Sequence, residues 1–127
     1  MRRKDQRRAA VVALYQRDLT GRPLDELVPR DATPFTRELI AGVDESREQL
    51  DAWIDQYAEG WSIDRIAPLE KSILRVALHE LSSSDDVPAE VAIDEAVEAA
   101  KELCSAEAPA FVNGILGAFQ RDTVAAS

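Results

Sequence analysis

The chain has few of the residues that carry common catalytic and metal-binding chemistry. Among its 127 residues there is one histidine, His79, and one cysteine, Cys104. A single cysteine excludes an internal disulfide framework and fits a reducing compartment. One histidine and one cysteine cannot form a His/Cys metal site. The acidic pairs Asp85-Asp86 and Asp94-Glu95 lack the spacing of a calcium-binding loop. We therefore expect no enzymatic activity, no bound metal and no cofactor. We expect His79 to be an ordinary polar residue and Cys104 to be a small buried apolar one.

Long apolar runs are also missing. No segment approaches the ~20 consecutive apolar residues of a membrane-spanning helix. The basic start, MRRKDQRR, is not followed by the apolar core of a signal peptide. Apolar residues make up 46% of the chain and charged residues 31%, which is ordinary for a globular domain. The sequence therefore predicts one cytoplasmic domain, residues 1–127, without membrane contact.

The charge is unevenly distributed along the chain. The net charge of −9 alone argues against binding to nucleic acid, yet residues 1–20 carry a net +4 and the remaining 107 residues a net −13. A basic terminus on an acidic body predicts a polyanion-binding segment, which we call the basic arm, residues 1–8. Its cations would contact RNA phosphates, and Gln6 could read a base if it is exposed. Composition alone leaves a merely solubilising terminus equally open, and the acidic surface could instead face a basic protein partner.

Apolar residues recur with the period of an α-helix along most of the chain. The pattern predicts helices over residues 5–19, from Pro34, over 46–57, over 68–81, from Pro88 and from Pro109, with proline at the first helical position. No strand pattern is present, so the sequence predicts an all-α fold of six or seven helices. Residues 121–127 show no periodicity and are expected to fray.

Two glycines interrupt the last apolar helix. Gly114 and Gly117 are three residues apart, and each costs about 1 kcal/mol relative to alanine in a helix interior. Such a pair predicts a close helix–helix crossing. We therefore expect the last helix to be the central one.

Several segments together resemble one family. WSIDRIAPLEKSILRVALHEL and VPAEVAIDEAVEAAKEL, followed by FVNGILG, are similar to the NusB family of bacterial transcription antitermination factors, and AVVALYQ and TRELIAGV extend the resemblance over nearly the whole chain. It implies about seven helices in two packed three-helix bundles, without catalysis. It also implies binding of the boxA RNA of ribosomal leader transcripts together with the ribosomal protein NusE. That complex would join other Nus factors on RNA polymerase.

The resemblance also implies site residues. Carried over by position, the arm residues that would meet RNA are Arg2, Arg3, Lys4, Gln6, Arg7 and Arg8. The residues that fall on the family's RNA or partner surface are Tyr15, Glu70, Glu107 and Phe111. The loop at residues 104–110, CSAEAPA, departs from the family's more usual acidic and polar version.

Two alternatives stay open at this point. The chain could be a stand-alone RNA-binding module related to the N-terminal domain of rRNA cytosine methyltransferases, or a protein–protein adaptor. Self-association into a homodimer through the RNA-facing surface is a further state that the resemblance allows.

Overall fold

The computed structural model describes residues 2–83 and 86–126, and within these ranges all regular structure is helical. The elements in chain order are α1 (Arg3–Thr20), α2 (Leu24–Leu27), α3 (Pro34–Glu45), α4 (Arg47–Tyr57), a short 3-10 helix (Ile63–Arg65), α5 (Pro68–Ser83), α6 (Ala89–Leu103) and α7 (Ala108–Ala126). The prediction of an all-α fold is confirmed. Met1 and Ser127, the outermost residues of the predicted arm and tail, lie outside the described residues.

Local signals in the sequence set most helix boundaries. The Thr33 hydroxyl accepts a hydrogen bond from the Thr36 N–H, and Pro34 is the first residue of α3, as predicted. Gly21 ends α1 with a φ of 70°, in the left-handed region that glycine adopts without strain. Pro88 immediately precedes α6, and Pro109 is the second residue of α7. These two prolines are therefore one position away from their predicted places.

The central helix is α5, and the prediction that the last helix is central is wrong. Residues 72–78 of α5 are all buried, so no face of this stretch is left to solvent. α5 packs against α1, α3, α4, α6 and α7. The triplets α1–α3–α5 and α5–α6–α7 form three-helix bundles that share α5, and α4 packs on both α5 and α7.

The glycines of α7 do not mark a helix crossing. A Cβ built at Gly114 would meet nothing within 4 Å, and one at Gly117 would meet only the side chain of Arg121 at 3.3 Å. The close approach is between α3 and α5, where a methyl group at Gly42 would overlap the imidazole ring of His79. The predicted crossing is thus corrected: the glycine that a helix crossing requires is Gly42.

α7 is longer than predicted. It continues to Ala126, past residue 121 where the sequence predicted a frayed tail. The Tyr57 hydroxyl donates a hydrogen bond to Asp122 Oδ2 at 2.8 Å, and the Thr123 hydroxyl donates to the Phe119 carbonyl at 2.8 Å. The first of these bonds ties the extra turns of α7 to α4, which the periodicity of the sequence could not indicate.

A buried ion network joins α1, α4 and α5. The Arg75 side chain is only 4% exposed, and its guanidinium donates to Asp51 at 2.7 and 3.1 Å and to Asp18 at 2.6 Å. Arg47 donates to the same Asp18 carboxylate at 3.0 Å. We call these four residues the buried ion network. It fixes the C-terminal end of α1 against the rest of the molecule.

Candidate nucleic-acid interface

Residues 3–8 of the basic arm form the first turns of a helix. α1 begins at Arg3, and Asp5 lies in its first turn, where a carboxylate offsets cations that the helix dipole disfavours. Arg2 precedes the helix, with its side chain 79% exposed and its Nε 3.7 Å from Asp5. The arm is therefore held on the body of the protein, and the surroundings of each cation decide what it can bind.

Arg7 is committed to an internal partner. Its Nε and Nη2 donate to the two carboxylate oxygens of Glu80 in α5 at 2.8 and 3.0 Å. The side chains are 11% and 3% exposed, so this two-bond pair is largely removed from water. Arg7 thus fixes α1 to α5, and the structure does not present its guanidinium to a ligand.

Gln6 is buried as well, so the exposure on which its predicted RNA contact depended is not met. Its Oε1 accepts hydrogen bonds from the Thr33 hydroxyl at 2.6 Å and from Arg3 Nη1 at 3.4 Å. Its backbone carbonyl accepts from the Thr36 hydroxyl at 2.9 Å. Gln6 therefore joins α1 to the start of α3, because polar groups removed from water are stable only when they are hydrogen-bonded.

Arg3 lies over an aromatic ring. Its guanidinium carbon is 4.0 Å from the centroid of Phe35, a cation–π distance. The residue remains exposed. Arg2 and Arg3 are thus the arm residues that face solvent most openly.

Lys4 and Arg8 share one carboxylate. Lys4 Nζ is 3.3 Å from Glu102 Oε1, and Arg8 Nη2 is 3.4 Å from Glu102 Oε2. Glu102, near the end of α6, has a side chain that is 45% exposed. Within the described part of the chain, Arg8 Nε and Nη2 make no hydrogen bond, and neither does Glu95 Oε2, which borders the same small cavity. These contacts are longer and more exposed than those of Arg7.

A groove lies where α5, the α6–α7 connection and the segment before α5 meet. Its lining includes three of the predicted residues, Glu70, Glu107 and Phe111, together with Trp61 and Arg65. The Trp61 side chain is exposed and meets Phe111 edge to face, with ring centroids 6.3 Å apart. We call this the aromatic groove. Tyr15, the fourth predicted residue, is half-buried on α1 and is not among the lining residues.

Acidic groups influence each other in the aromatic groove. The pKa of Glu70 is raised by burial and, to a smaller extent, by the negative charge of Glu107. The pKa of the Cys104 thiol is raised by burial and then by the charge of Glu70. Cys104 is partly buried against the core, and its raised pKa disfavours the thiolate that a nucleophile needs. The sequence predicted a buried small apolar residue at Cys104, and the structure leaves it half-buried at the edge of the core.

The end of α6 connects the arm to the aromatic groove. Glu102 contacts Lys4 and Arg8 of the arm, and Cys104, two residues further, is close enough to Glu70 for the charge of Glu70 to raise its pKa. The last turn of α6 therefore contacts Lys4 and Arg8 of the arm, and the residue that follows α6, Cys104, lies on the side of Glu70. Sequence analysis missed Trp61 and Glu102. Trp61 carries a signal, since it is an aromatic residue outside any helical pattern beside Gly60, whereas Glu102 carries none.

Other chemistries find little support in the described residues. No group of three or more His, Cys, Asp or Glu residues there could hold a metal ion, and no helix is long and apolar enough to cross a membrane. His79 is half-buried against Gly42, and burial lowers its pKa against the opposing influence of Glu80 and Glu45.

Comparison with known proteins identifies relatives along nearly the whole chain. The NusB family profile matches residues 4–121. The transcription antitermination protein NusB of Rubrobacter xylanophilus is 41% identical over 122 residues, covering 91% of this chain and 88% of that protein. The solved structure of T. maritima NusB superposes with a TM-score of 0.85 at 32% identity, covering 92% of this chain and 89% of that one. A structure of the antitermination factors NusB and NusE in complex with dsRNA superposes with a TM-score of 0.81 at 27% identity, covering 94% and 96%.

Proposed function

Because the chain belongs to the NusB family of transcription antitermination proteins, we propose that it binds the boxA RNA of ribosomal leader transcripts together with the ribosomal protein NusE. The complex would join other Nus factors on RNA polymerase in the cytoplasm and suppress premature termination. The observation that carries this proposal is the contact of Lys4 and Arg8 with Glu102 in the last turn of α6, which leads into the connection whose residues Ser105, Glu107 and Ala108 line the aromatic groove.

The two halves of this surface supply the two contacts that single-stranded RNA requires. Lysine and arginine side chains neutralise backbone phosphates, and aromatic faces stack on unpaired bases. Arg2 and Arg3 are exposed cations, and Trp61 is an exposed ring beside Phe111. In this assignment Arg7 and Gln6 position the arm and do not touch RNA.

The acidic side of the aromatic groove suits a protein partner better than RNA. Glu70 and Glu107 would repel phosphate, whereas a basic partner surface would be attracted to them. We therefore assign Glu70 and Glu107 to the contact with NusE and the arm cations to RNA. This division gives both predicted glutamates of the groove a partner of complementary charge.

The test is fluorescence anisotropy of labelled boxA RNA and of a scrambled RNA of equal length, with and without NusE, at two salt concentrations. We expect a preference for boxA that NusE strengthens and that salt weakens. Equal weak binding to both RNAs would mean that the basic arm binds RNA without sequence preference. No RNA binding at any salt concentration would favour the alternative of a protein–protein adaptor. A homodimer that blocks RNA would appear as binding that improves on dilution of the protein.

A matched pair of variants locates the RNA contact. Arg2→Ala with Arg3→Ala should weaken binding and make the plot of log affinity against log salt shallower by about 1.4, at about 0.7 for each lost phosphate contact. Arg22→Ala with Arg30→Ala removes the same charge from exposed positions beyond the other end of α1 and should leave the slope unchanged. Equal effects of the two pairs would mean that net charge, and not the arm, governs binding.

A further inference from the structure

Two of the arm cations, Lys4 and Arg8, are paired with a carboxylate of the same chain. The carboxylate of Glu102 lies between Lys4 and Arg8, with one oxygen 3.3 Å from Lys4 Nζ and the other 3.4 Å from Arg8 Nη2. A phosphate group that bridged the same two side chains would present its oxygens in the same place. Glu102 therefore occupies the place that such a bridging phosphate would take.

The contact is of a kind that a ligand can replace. The Glu102 side chain is 45% exposed and that of Lys4 is 36% exposed, while that of Arg8 is 14% exposed. The ion pair between the two partly exposed groups, Lys4 and Glu102, contributes about 0–1 kcal/mol, since water solvates both partners almost as well. Neither contact has the geometry of a hydrogen bond, and Arg8 Nε and Nη2 remain buried without a hydrogen-bond acceptor among the described residues. The guanidinium of Arg8 is thus held loosely and is incompletely satisfied.

The neighbouring pair shows what a permanent contact looks like. Arg7 and Glu80 form two hydrogen bonds of 2.8 and 3.0 Å with both side chains nearly buried. Breaking that pair would leave a carboxylate in the protein interior, which is strongly unfavourable. Release of Glu102 leaves a carboxylate that is already half in water.

We propose that Glu102 is an internal competitor for the phosphate site formed by Lys4 and Arg8, and that RNA binds by displacing it. This inference rests on the proposed function for its natural ligand. In the free protein the single negative charge of Glu102 offsets part of the charge of the two cations. A single weak phosphate gains little by replacing it, whereas an RNA that also engages Arg2, Arg3 and the aromatic groove gains enough to displace it. Glu102 would thereby favour ligands that fit the whole surface over polyanions in general.

The test compares two variants that make the same change of charge on the same helix. Glu102→Gln removes the competitor but keeps the size and helix preference of the side chain. Glu98→Gln changes an exposed glutamate one turn earlier, for which no contact with the arm is observed. We expect Glu102→Gln to bind scrambled RNA about fivefold more tightly than wild type, as expected for removal of one opposing charge at about 4 Å in water. Glu98→Gln should change affinity less than twofold.

A third variant shows whether the gain passes through the two cations. We expect Glu102→Gln to give no gain in RNA affinity when it is added to a Lys4→Gln, Arg8→Gln double variant. The triple variant should therefore bind scrambled RNA as tightly as that double variant does. Each variant is first checked for a thermal midpoint close to that of wild type. Equal affinities for the Glu102 and Glu98 variants, or a gain that survives without Lys4 and Arg8, would overturn the proposal.

A second probe separates this inference from the proposed function. Inorganic tripolyphosphate, titrated into wild-type and Glu102→Gln protein and followed by NMR of the Lys4 and Arg8 side chains, should bind more tightly to the variant. If it does while neither protein binds RNA, the competitor role stands and the RNA function fails. If RNA binds but tripolyphosphate and scrambled RNA do not distinguish the two proteins, the competitor role fails and the RNA function stands.

Discussion

At the C-terminal end of α1, Asp18 lies between Arg75 and Arg47, whereas at the N-terminal end Lys4 and Arg8 lie against Glu102. Both ends join α1 to other helices through ion pairs of the same chemical groups. In the buried ion network the hydrogen bonds measure 2.6–3.1 Å and the central Arg75 is 4% exposed, while Arg47, at its edge, is 41% exposed. At the arm the contacts measure 3.3 and 3.4 Å, and Glu102 is 45% exposed.

This difference separates ion pairs that hold the fold from ion pairs that a ligand can use. A desolvated, hydrogen-bonded cation cannot leave its partner without exposing a buried charge, so it is a structural element. A cation paired at the surface loses little by exchanging one anion for another. The sequence places all of these arginines on one helix or its neighbours, and the burial of their carboxylate partners assigns them to different tasks: Glu80 is 3% exposed and Glu102 is 45% exposed.

The largest effect is expected for Arg75→Ala. It leaves Asp18 and Asp51 with Arg47 alone, and breaking a buried ion pair costs about 3–5 kcal/mol of unfolding free energy. Arg22→Ala, which breaks the exposed pair with Glu26, should cost less than about 0.5 kcal/mol. Urea unfolding of both variants checks this. If the two lose similar stability, the network is not the structural element that we describe.

Comparing Arg7→Ala with Arg8→Ala should distinguish the structural cation of the arm from one that a ligand can reach. It strands the buried carboxylate of Glu80 and should cost about 3 kcal/mol, whereas Arg8→Ala should cost about 1 kcal/mol or less because Glu102 is half-exposed. RNA affinity of the folded protein should respond in the opposite order. An Arg7→Ala variant of normal stability would place Arg7 among the exchangeable cations.

The contact between α3 and α5 belongs to the fixed part of the molecule. Gly42→Ala forces the His79 ring to move and should destabilise the fold by about 1–3 kcal/mol. Gly114→Ala, where the added methyl group meets nothing, should stabilise it by about 1 kcal/mol through helix propensity. Thermal unfolding distinguishes the two. If Gly42→Ala causes the same loss of stability in a His79→Ala background as in the wild-type protein, the His79 ring is not the obstacle.

A smaller, pH-dependent effect is expected from His79 in the same contact. Burial lowers its pKa in the folded state, so the unfolded state takes up the proton first as the pH falls. Stability should be complete above the unfolded pKa of about 6.5 and decline below it. His79→Gln should lose less stability than wild type between pH 7 and pH 5. Parallel pH profiles for the two proteins would show that His79 is already solvated in the fold.

Local patterns in the sequence predicted the helices, because periodicity, proline and capping residues act over a few positions. The family resemblance grouped Glu70, Glu107 and Phe111 as surface residues, and these three line one groove. Local patterns could not indicate that Arg7 pairs with Glu80, which is 73 residues away, or that Gln6 is buried. The glycine pair of α7 was misread because spacing alone does not tell whether a helix face meets another helix or water. Pairing between distant segments thus decided which predicted site residues remain available.

The most direct test of the account is a map of backbone amide NMR shifts on addition of boxA RNA to the full chain. The account predicts that the shifts cluster at residues 2–8 and 102–111, on the arm and around the aromatic groove, while Asp18, Arg47 and Asp51 stay unchanged. Shifts centred on the buried ion network, or spread evenly over the molecule, would contradict an RNA surface at the end of α6.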